Sequence, residues 1–349
     1  MRFYTQSHTH YCGIDLHARS MYLCILDAQG EVLLHRNFKA EPAAFLQAVA
    51  PYREDLVVAV ECIFTWYWLA DLCADENIAF VLGHALCMKA IHGGKAKNDR
   101  IDAHKIAVLL RGGMLPQAYV YPKAMRATRD LLRRRNHLMR KRAELLAHIQ
   151  NTASQYNLPP LGARVDRKAE RATIPAHFPD AVVRRSVQLD LGLIAHYDGL
   201  LGKLEQELAL MAKAHDAFAY HLLRSVPGVG RILTLVLLYE IEDVGRFPRV
   251  QEFLSYARLV KCQKGSAGKV YGHSGKKIGN VHLKWAFSEA AVLFLRANPE
   301  AQRYLERLAN KHGKGKALSI LAAHLGRAVY VMLKPRVPFD QGKFLARAA

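Results

Sequence analysis

The chain has 349 residues, of which 51% are apolar, so it is long enough for more than one domain and too apolar to be disordered. Its formal net charge of +20 indicates a polyanionic partner, most commonly nucleic acid. The six cysteines form no C-x-x-C pair, no apolar run approaches a membrane span, and residues 1–10 lack a signal-peptide core. We therefore expect a cytoplasmic, nucleoid-associated protein with free thiols and no membrane partner.

The N-terminal third of the sequence is typical of an α/β domain, which we assign to residues 8–120. Apolar and alternating runs predict five strands, at Tyr11–Leu16, Met21–Asp27, Val32–Phe38, Leu56–Glu61 and Ala79–Gly83. Helices are predicted from Glu41 to Val49 and from Thr65 to Asp75. Three strands in a meander followed by helix-linked strands is the order of an RNase H-like mixed sheet.

The middle of the chain, residues 121–215, has the seven-residue spacing of a helical coiled coil. Apolar pairs recur at Leu131/Leu132, Leu138/Met139 and Leu145/Leu146. The other faces of this helix are basic, and we predict that they contact nucleic acid, with four candidate side chains: Arg129, Arg133, Arg134 and Arg140. A second periodic helix around residues 197–211 is expected to pair with the first, either within the chain or across a dimer.

The remaining segment, residues 216–340, is predicted to be a mostly helical C-terminal domain. A turn at Pro227–Gly230 precedes an apolar helix, Ile232–Tyr239, and two further buried helices are predicted at 283–295 and 317–333. Gly228 and Gly230 suit either a phosphate-binding hairpin of the helix-hairpin-helix kind or an ordinary turn between helices. Residues 261–280 are rich in Gly, Lys and Ser, which predicts a polar loop.

Four acidic residues are placed unusually for so basic a chain. Asp15 lies inside an apolar strand, and Glu61 ends another. Asp99 and Asp102 are spaced i, i+3, which puts both on one face of a helix. Each acid alone has an ordinary explanation as a turn, cap or solvated residue, but a buried charge needs a compensating partner. Together they predict a site for one or two Mg²⁺ (or Mn²⁺) ions of the kind that transfers phosphoryl groups.

These acids belong to motifs that resemble those of a known family. Gly13-Ile14-Asp15, Val60-Glu61 and Lys97-Asn98-Asp99-Arg100-Ile101-Asp102-Ala103 resemble the DEDD transposases of the IS110 insertion-sequence family. That family's second, transposase-type domain is similar in its motifs to Pro227-Gly228-Val229-Gly230, Arg246-Phe247, Ser255-Tyr256-Ala257 and Lys276-Lys277-Ile278-Gly279-Asn280. The resemblance runs from about Tyr11 to Leu333.

The resemblance implies an enzyme of DNA transposition and site-specific recombination. Its N-terminal domain would be RuvC-like, with Asp15, Glu61, Asp99 and Asp102 as catalytic metal ligands. Its nucleophile would be a serine, Ser266, with Ser274 as a second candidate, and neighbouring lysines would hold the DNA: Lys264, Lys269, Lys276 and Lys277. The resemblance further implies a homo-oligomer, a dimer or tetramer, guided by an RNA that the element encodes.

The sequence departs from the family pattern at several positions, and two other functions stay open. Asn98 stands where threonine is usual, Lys261 replaces a proline, and residues 265–268 read Gly-Ser-Ala-Gly instead of Ser-Ser-Gly-Gly. One alternative is a junction-resolving nuclease of the RuvC type, in which water replaces serine. The other is a non-catalytic nucleic-acid-binding protein, which would bind without cleaving strands.

Overall fold

A five-stranded mixed sheet lies at the centre of the N-terminal part of the chain. Its strands are β1 (His10–Leu16), β2 (Ser20–Asp27), β3 (Val32–Lys39), β4 (Leu56–Glu61) and β5 (Ala79–Gly83). They lie in the order β3-β2-β1-β4-β5, with antiparallel pairing from β3 to β1 and parallel pairing from β1 to β5. This is the mixed RNase H-like sheet that the sequence predicts, and the predicted fold class is confirmed.

The computed structural model describes residues 2–91, 98–274 and 278–347. Contacts divide the chain into two units, Met1–Ala124 and Met125–Ala349. The sheet and the acidic motifs belong to the first unit. The second unit contains both the predicted coiled-coil segment and the predicted C-terminal domain, so the three-part division of the chain remains a prediction.

One face of the sheet is covered by helices α1 (Pro42–Val49) and α2 (Tyr67–Asp75). Alternate strand residues point to this side, and Ile14, Leu23 and Val58 are fully buried there against Phe45 of α1 and Leu69 of α2. The predicted helices at 41–49 and 65–75 are thus confirmed, with the second beginning two residues later than expected. Short helix α3 (Ala85–Ile91) follows β5.

The opposite face of the sheet is covered by helix α4 (Asp99–Arg111). Its apolar residues Ile106, Leu109 and Leu110 pack on Val57 and Val81 of the sheet. A Cβ atom at Gly13 of β1 would lie 2.3 Å from the backbone nitrogen of Ala107 and 2.4 Å from the carbonyl oxygen of Ala103. Only glycine therefore permits this closeness of α4 to β1, and the first turn of α4 is brought to the carboxyl end of the strand.

In the second unit, two long helices pair in antiparallel fashion: α5 (Lys123–Gln155) and α6 (Ala181–Arg224). Polar contacts link Arg135 to Glu205, Arg142 to Asp198 and His148 to Asp190, so that the partners advance along α5 as they recede along α6. Of the two pairings that the sequence left open, the described residues contain the one within the chain. The backbone of α6 departs from helical geometry at Asp216, the predicted start of the third segment.

The basic side of α5 is only partly a solvent-facing surface. Arg126, Arg129 and Arg135 are each less than 9% exposed. Arg129 donates to the carboxylate of Glu240, 3.0 Å from its Nη2, and Arg133 donates to the other oxygen of the same carboxylate at 2.8 Å. Glu240 is 1% exposed, and its arginine partners hold its pKa at about 2 despite the opposing effect of burial. Part of the cationic excess thus neutralises an internal acid.

The described residues of the second unit contain six further α-helices: α7 (Arg231–Ile241), α8 (Val250–Tyr256), α9 (Val281–Phe294), α10 (Pro299–His312), α11 (Lys314–Leu333) and α12 (Gln341–Arg347). They also contain 3-10 helices at Gly162–Val165, Lys168–His177 and Val244–Arg246. The predicted helices at 232–239, 283–295 and 317–333 correspond to α7, α9 and α11. The predicted loop at 261–280 is wrong in part, because it contains a hairpin of β6 (Cys262–Ser266) and β7 (Lys269–Ser274). Its strands contain few apolar residues, and these do not alternate with polar ones, so the pattern that marks a strand is missing.

The sequence predicts no apolar segment long enough to span a membrane, and helix α11 is an exception by length and composition. Within the described residues it is the one helix that is long and apolar enough to cross a membrane. Its residues Leu321, Leu325 and Val329 are buried, and the helix packs against α9 and α10. We therefore interpret α11 as a core helix of the second unit.

Replacing Gly13 with alanine should destabilise the first unit. The added methyl group overlaps backbone atoms of α4, and overpacking of this kind costs about 1–3 kcal/mol or more. Urea denaturation of the variant measures this cost. The matched control is Gly199→Ala, because a Cβ at Gly199 meets nothing within 4 Å in helix α6, and that change should be neutral or stabilising. Equal stability of the two variants would contradict the assigned role of Gly13.

The charged form of Glu240 should stabilise the second unit in a pH-dependent way. Because its folded pKa of about 2 lies below the usual 4.5, the stabilisation is present above pH 4.5 and is lost as the pH falls towards 2. This difference between the folded and the usual pKa corresponds to about 3 kcal/mol in the free energy of unfolding. Urea denaturation of the wild type and Glu240→Gln should give curves that converge on acidification. The surface pair of Glu252 with Arg249 provides the control, since Glu252→Gln should cost about 1 kcal/mol or less.

Candidate active site

Two of the predicted acids lie side by side at the carboxyl edge of the sheet. Strands β1 and β4 are parallel neighbours, and their register pairs Ile14 with Val60. Asp15 and Glu61 are the next residues in this register. Both share the face on which Gly13 meets α4, because side chains two positions apart along a strand point to the same side. The Asp15 side chain is 16% exposed.

The other two acids lie in the first turn of α4, where the contact at Gly13 holds the helix on β1. Asn98 caps this helix, since its side chain accepts a hydrogen bond from the backbone N–H of Ile101 at 2.8 Å. Asn98 is the position where the family usually has threonine, and both residue types serve as helix N-caps. The positive end of the helix dipole lies here and favours the charges of Asp99 and Asp102.

A histidine joins the acids. His17 Nε2 lies 3.5 Å from Asp15 Oδ2 and 3.4 Å from Asp99 Oδ1. One ligand atom from each of the three residues lies within 4.8 Å of the other two, a spacing suited to a shared metal ion. Sequence analysis missed His17. The available signal was its position two residues after Asp15, which places both side chains on the same side of an extended chain.

The electrostatics link the other three acids to Asp15. Burial raises the pKa of Asp15, His17 lowers it, and the negative charges of Asp99, Asp102 and Glu61 raise it further. Like charges held this close disfavour ionisation unless a cation is present. On the described residues, the nearest compensating groups are His17 and Lys105, whose Nζ lies 3.7 Å from Asp102 Oδ1.

The residues fit a divalent metal ion. Carboxylate oxygens are the ligands that hard divalent cations prefer, and an imidazole nitrogen adds a donor that Mn²⁺ accepts more readily than Mg²⁺. Burial and the neighbouring negative charges raise the pKa of Asp15, and a bound divalent cation would offset both effects. Among the described residues, Asp15, Asp99 and His17 are the ones whose ligand atoms lie close enough together to hold an ion. That Glu61 and Asp102 join them stays a prediction.

His84, which follows β5, lies next to the residue that pairs with Glu61. Gly83 forms that pair. The Nδ1 atom of His84 is buried and has no hydrogen-bond partner among the residues that the structure describes. The sequence alone assigned no role to this histidine, and its place beside β4 keeps it close to the carboxyl edge of the sheet.

The predicted nucleophile belongs to the second unit. Ser266 is the last residue of β6 and pairs with Lys269 across a two-residue turn. Ala267 and Gly268 both have positive φ, +49° and +76°, as in the tight turns that match the twist of a hairpin. Ser266 and Lys269 are exposed. Lys264 and Ser274 lie on the strands of the hairpin, while Lys276 and Lys277 fall outside the described residues.

The four arginines predicted to contact nucleic acid divide into two pairs. Arg129 and Arg133 bind Glu240, and Arg129 is buried, so both have an internal partner, while their contact with nucleic acid stays a prediction. Arg134 and Arg140 are exposed on α5. The sequence could not distinguish the two pairs, because Glu240, which binds Arg129 and Arg133, lies about a hundred residues further along the chain.

The predicted turn at Pro227–Gly230 is a tight connection between α6 and α7. The N–H of Val229 donates to the carbonyl oxygen of Val226 at 3.0 Å, and Gly228 has a φ of +81°, as in a type II turn. A Cβ at Gly228 would lie 2.5 Å from the backbone nitrogen of Phe294. Gly228 therefore serves close packing on α9, whereas Gly230 is open and caps α7.

Comparison with known proteins was made for the whole chain. Residues 12–158 match a family model of IS110-type DEDD transposases, and residues 220–306 match the model described as the transposase IS116/IS110/IS902 family. The chain is 23% identical over 333 residues to the transposase for insertion sequence element IS1111A of Coxiella burnetii, covering 92% of this chain and 88% of that protein.

A second relative matches over a shorter stretch. The insertion element IS110 uncharacterized 43.6 kDa protein of Streptomyces coelicolor is 30% identical over 161 residues, which cover 44% of this chain and 39% of that protein.

An RNase H-like sheet with acids at its carboxyl edge, in a chain with these matches, defines a DNA-processing enzyme that uses divalent metal. The two family models together span the acidic motifs and the turn, hairpin and α9 of the second unit. The chain belongs to the IS110 family of transposases, and DNA is its substrate.

Removing a carboxylate from the cluster should abolish tight divalent-metal binding. We expect Asp15→Asn to weaken Mn²⁺ binding by more than the about 10–100-fold typical of losing an outer-shell partner. Titration calorimetry and the electron paramagnetic resonance of Mn²⁺ both measure this affinity. Asp75→Asn, at an exposed acid of α2, is the control and should leave it unchanged. Unaltered binding in Asp15→Asn would remove Asp15 from the metal site.

Proposed function

We propose that this transposase cleaves and rejoins DNA strands with Mg²⁺ or Mn²⁺ held by Asp15, Glu61, Asp99 and Asp102, and with Ser266 as nucleophile. The observation that supports the metal site most strongly is the convergence of negative charge on the partly buried Asp15. In a chain with a net charge of +20, such a cluster costs stability unless a cation binds to it.

The four acids that would hold the ion lie on two kinds of secondary structure. Asp15 and Glu61 project from neighbouring strands and provide fixed positions, whereas Asp99 and Asp102 depend on the seating of α4. When bound, a divalent cation supplies positive charge to the phosphoryl oxygens. His17 faces both Asp15 and Asp99, so we propose that it orients these carboxylates or serves as a further ligand.

The position of Ser266 supports its role as nucleophile. At the tip of an exposed hairpin, its hydroxyl is open to a phosphodiester, and Lys269 directly across the turn offers a positive charge to the phosphate. In the proposed step, serine Oγ bonds to phosphorus, the bond to the departing DNA oxygen breaks, and the serine proton passes through solvent to that oxygen. The phosphoserine retains the bond energy, so a second DNA end can later displace the serine.

The partners of the reaction are proposed from charge and from the family resemblance. Exposed Arg134 and Arg140 on α5 are suited to the phosphate backbone, and Gly230 lies at an open helix start. We propose that an RNA encoded by the element guides the enzyme to its DNA, that the enzyme acts as a dimer or tetramer, and that it works in the cytoplasm on the nucleoid.

Changing Ser266 to alanine should abolish the covalent protein–DNA adduct. The substrate is a labelled DNA that carries the ends of the element, incubated with Mg²⁺ and with the proposed guide RNA. Adducts that survive denaturing electrophoresis are counted. Ser274→Ala is the matched control and should retain the adduct.

The other outcomes identify other functions. Strand cleavage that persists in Ser266→Ala without any adduct in the wild type would indicate a nuclease that uses water. Adduct loss in Ser274→Ala alone would transfer the role to Ser274. Binding that needs no metal and gives no cleavage would indicate a non-catalytic nucleic-acid-binding protein.

A further inference from the structure

The hairpin that bears Ser266 is mostly exposed at the residues whose side chains the structure describes. Gln263, Gly265, Val270 and Tyr271 are all exposed, and Tyr271 is 70% exposed. An isolated two-stranded hairpin is marginally stable in water at best. The direction in which such a hairpin points must therefore be determined where its two strands join the helical part of the unit.

The chain entering the hairpin and the chain leaving it are joined at that base. The N–H of Asn280 donates to the carbonyl oxygen of Tyr256 at 2.6 Å, and Arg258 Nε donates to the carbonyl oxygen of Gly279 at 2.8 Å. Gly279 has a φ of +97°, and a Cβ there would lie 2.5 Å from the Tyr256 oxygen. The two arms thus meet backbone to backbone, in a contact that glycine alone permits.

The side chain of Asn280 connects this junction to the core. Its Oδ1 accepts from the N–H groups of His282 and Leu283, at 2.9 and 3.1 Å, and so caps helix α9. Its Nδ2 donates to Oε2 of Glu240 at 2.7 Å. Asn280 is 7% exposed, and both the donor and the acceptor of its side-chain amide have partners inside the protein.

Glu240 is itself held on several sides. Its carboxylate accepts from Arg129 and Arg133 of α5, as well as from Asn280. Arg246 donates to the backbone oxygens of Glu240 and Ile241, and its guanidinium lies 4.6 Å from the ring centres of both Phe247 and Tyr256. The carboxylate therefore occupies a position determined by two helices, and Tyr256 is linked to the same cluster.

We propose that Asn280, anchored on Glu240, is a positioning residue that sets the direction of the hairpin and thereby the location of Ser266. This inference rests on the proposed role of Ser266. A strand of five residues extends about 17 Å, so a tilt of 10° at the base moves the tip by about 3 Å. Because a misplacement of about 1 Å can slow a reaction about 100-fold, the anchor determines reactivity from a distance.

The test changes Asn280 while retaining the cap of α9. In Asn280→Asp, Oδ1 still accepts from the helix, but an oxygen replaces Nδ2 and faces the Glu240 carboxylate. Asn280→Ser also retains a capping oxygen and is too short to reach Glu240. The matched control is Asn298→Asp, because Asn298 caps α10 through Ala301, is 9% exposed, and directs its Nδ2 to Gln341.

Two measurements are made on the full-length protein. The first is the rate of adduct formation at saturating DNA, with the substrate, Mg²⁺ and RNA described above, together with DNA and Mn²⁺ affinity. The second is amide hydrogen exchange of residues 262–274. We expect both Asn280 variants to slow adduct formation about 100-fold or more and to speed exchange in the hairpin. Metal and DNA affinity should be unchanged, and Asn298→Asp should resemble the wild type.

The two readouts distinguish the possible failures. Unchanged adduct rates in both Asn280 variants would overturn the proposal, as would slower adduct formation without faster hairpin exchange, since Asn280 would then act on the chemistry by another route. If the wild type forms no adduct at all, the proposed serine mechanism fails instead. In that case, hydrogen exchange still tests whether Asn280 orders the hairpin. Equal exchange in the wild type and the variants would overturn that role.

Discussion

The contact between Gly13 and the backbone of α4 determines where the acids of the first unit meet. With any side chain at position 13, Ala103 and Ala107 would have to move away from β1, and the first turn of α4 would move with them. The glycine lies two residues before Asp15, on the same face of the same strand. One small residue therefore brings two acids on a helix to two acids on the sheet. The resulting accumulation of negative charge around Asp15 is the property on which metal binding depends.

In the second unit, basic side chains surround a buried acid. Its long helix α5 has an excess of arginines, and two of them surround the buried carboxylate of Glu240, whose low pKa reflects their proximity. A net charge of +20 is therefore not a simple measure of the surface available to DNA. The same carboxylate accepts a hydrogen bond from Asn280 at the end of the hairpin. Charge neutralisation inside the helical unit and the orientation of an exposed hairpin thus depend on one residue.

The proposed metal site and the proposed nucleophile are held in place in different ways. Two of the acids stand on strands of the sheet and two on α4, and packing on both faces of the sheet holds the positions of these elements. Ser266 stands on a hairpin whose described side chains are mostly exposed, and we propose that its position is set at the base. The structure explains three residues of the sequence motifs, because Tyr256, Gly279 and Asn280 lie together at the base of the hairpin.

The sequence by itself determined the sheet, the long helices and the four acids, because these depend on local signals: buried strands are continuously apolar, helices repeat every three to four residues, and an acid in an apolar strand is conspicuous. It did not reveal the hairpin at 262–274, since strands that are exposed on both sides carry no apolar alternation. Nor could it separate Arg129 and Arg133 from Arg134 and Arg140, or associate His17 with Asp99. Those distinctions were decided by tertiary structure alone, because each depends on a partner far away in the chain, and only folding brings such charges close enough to interact.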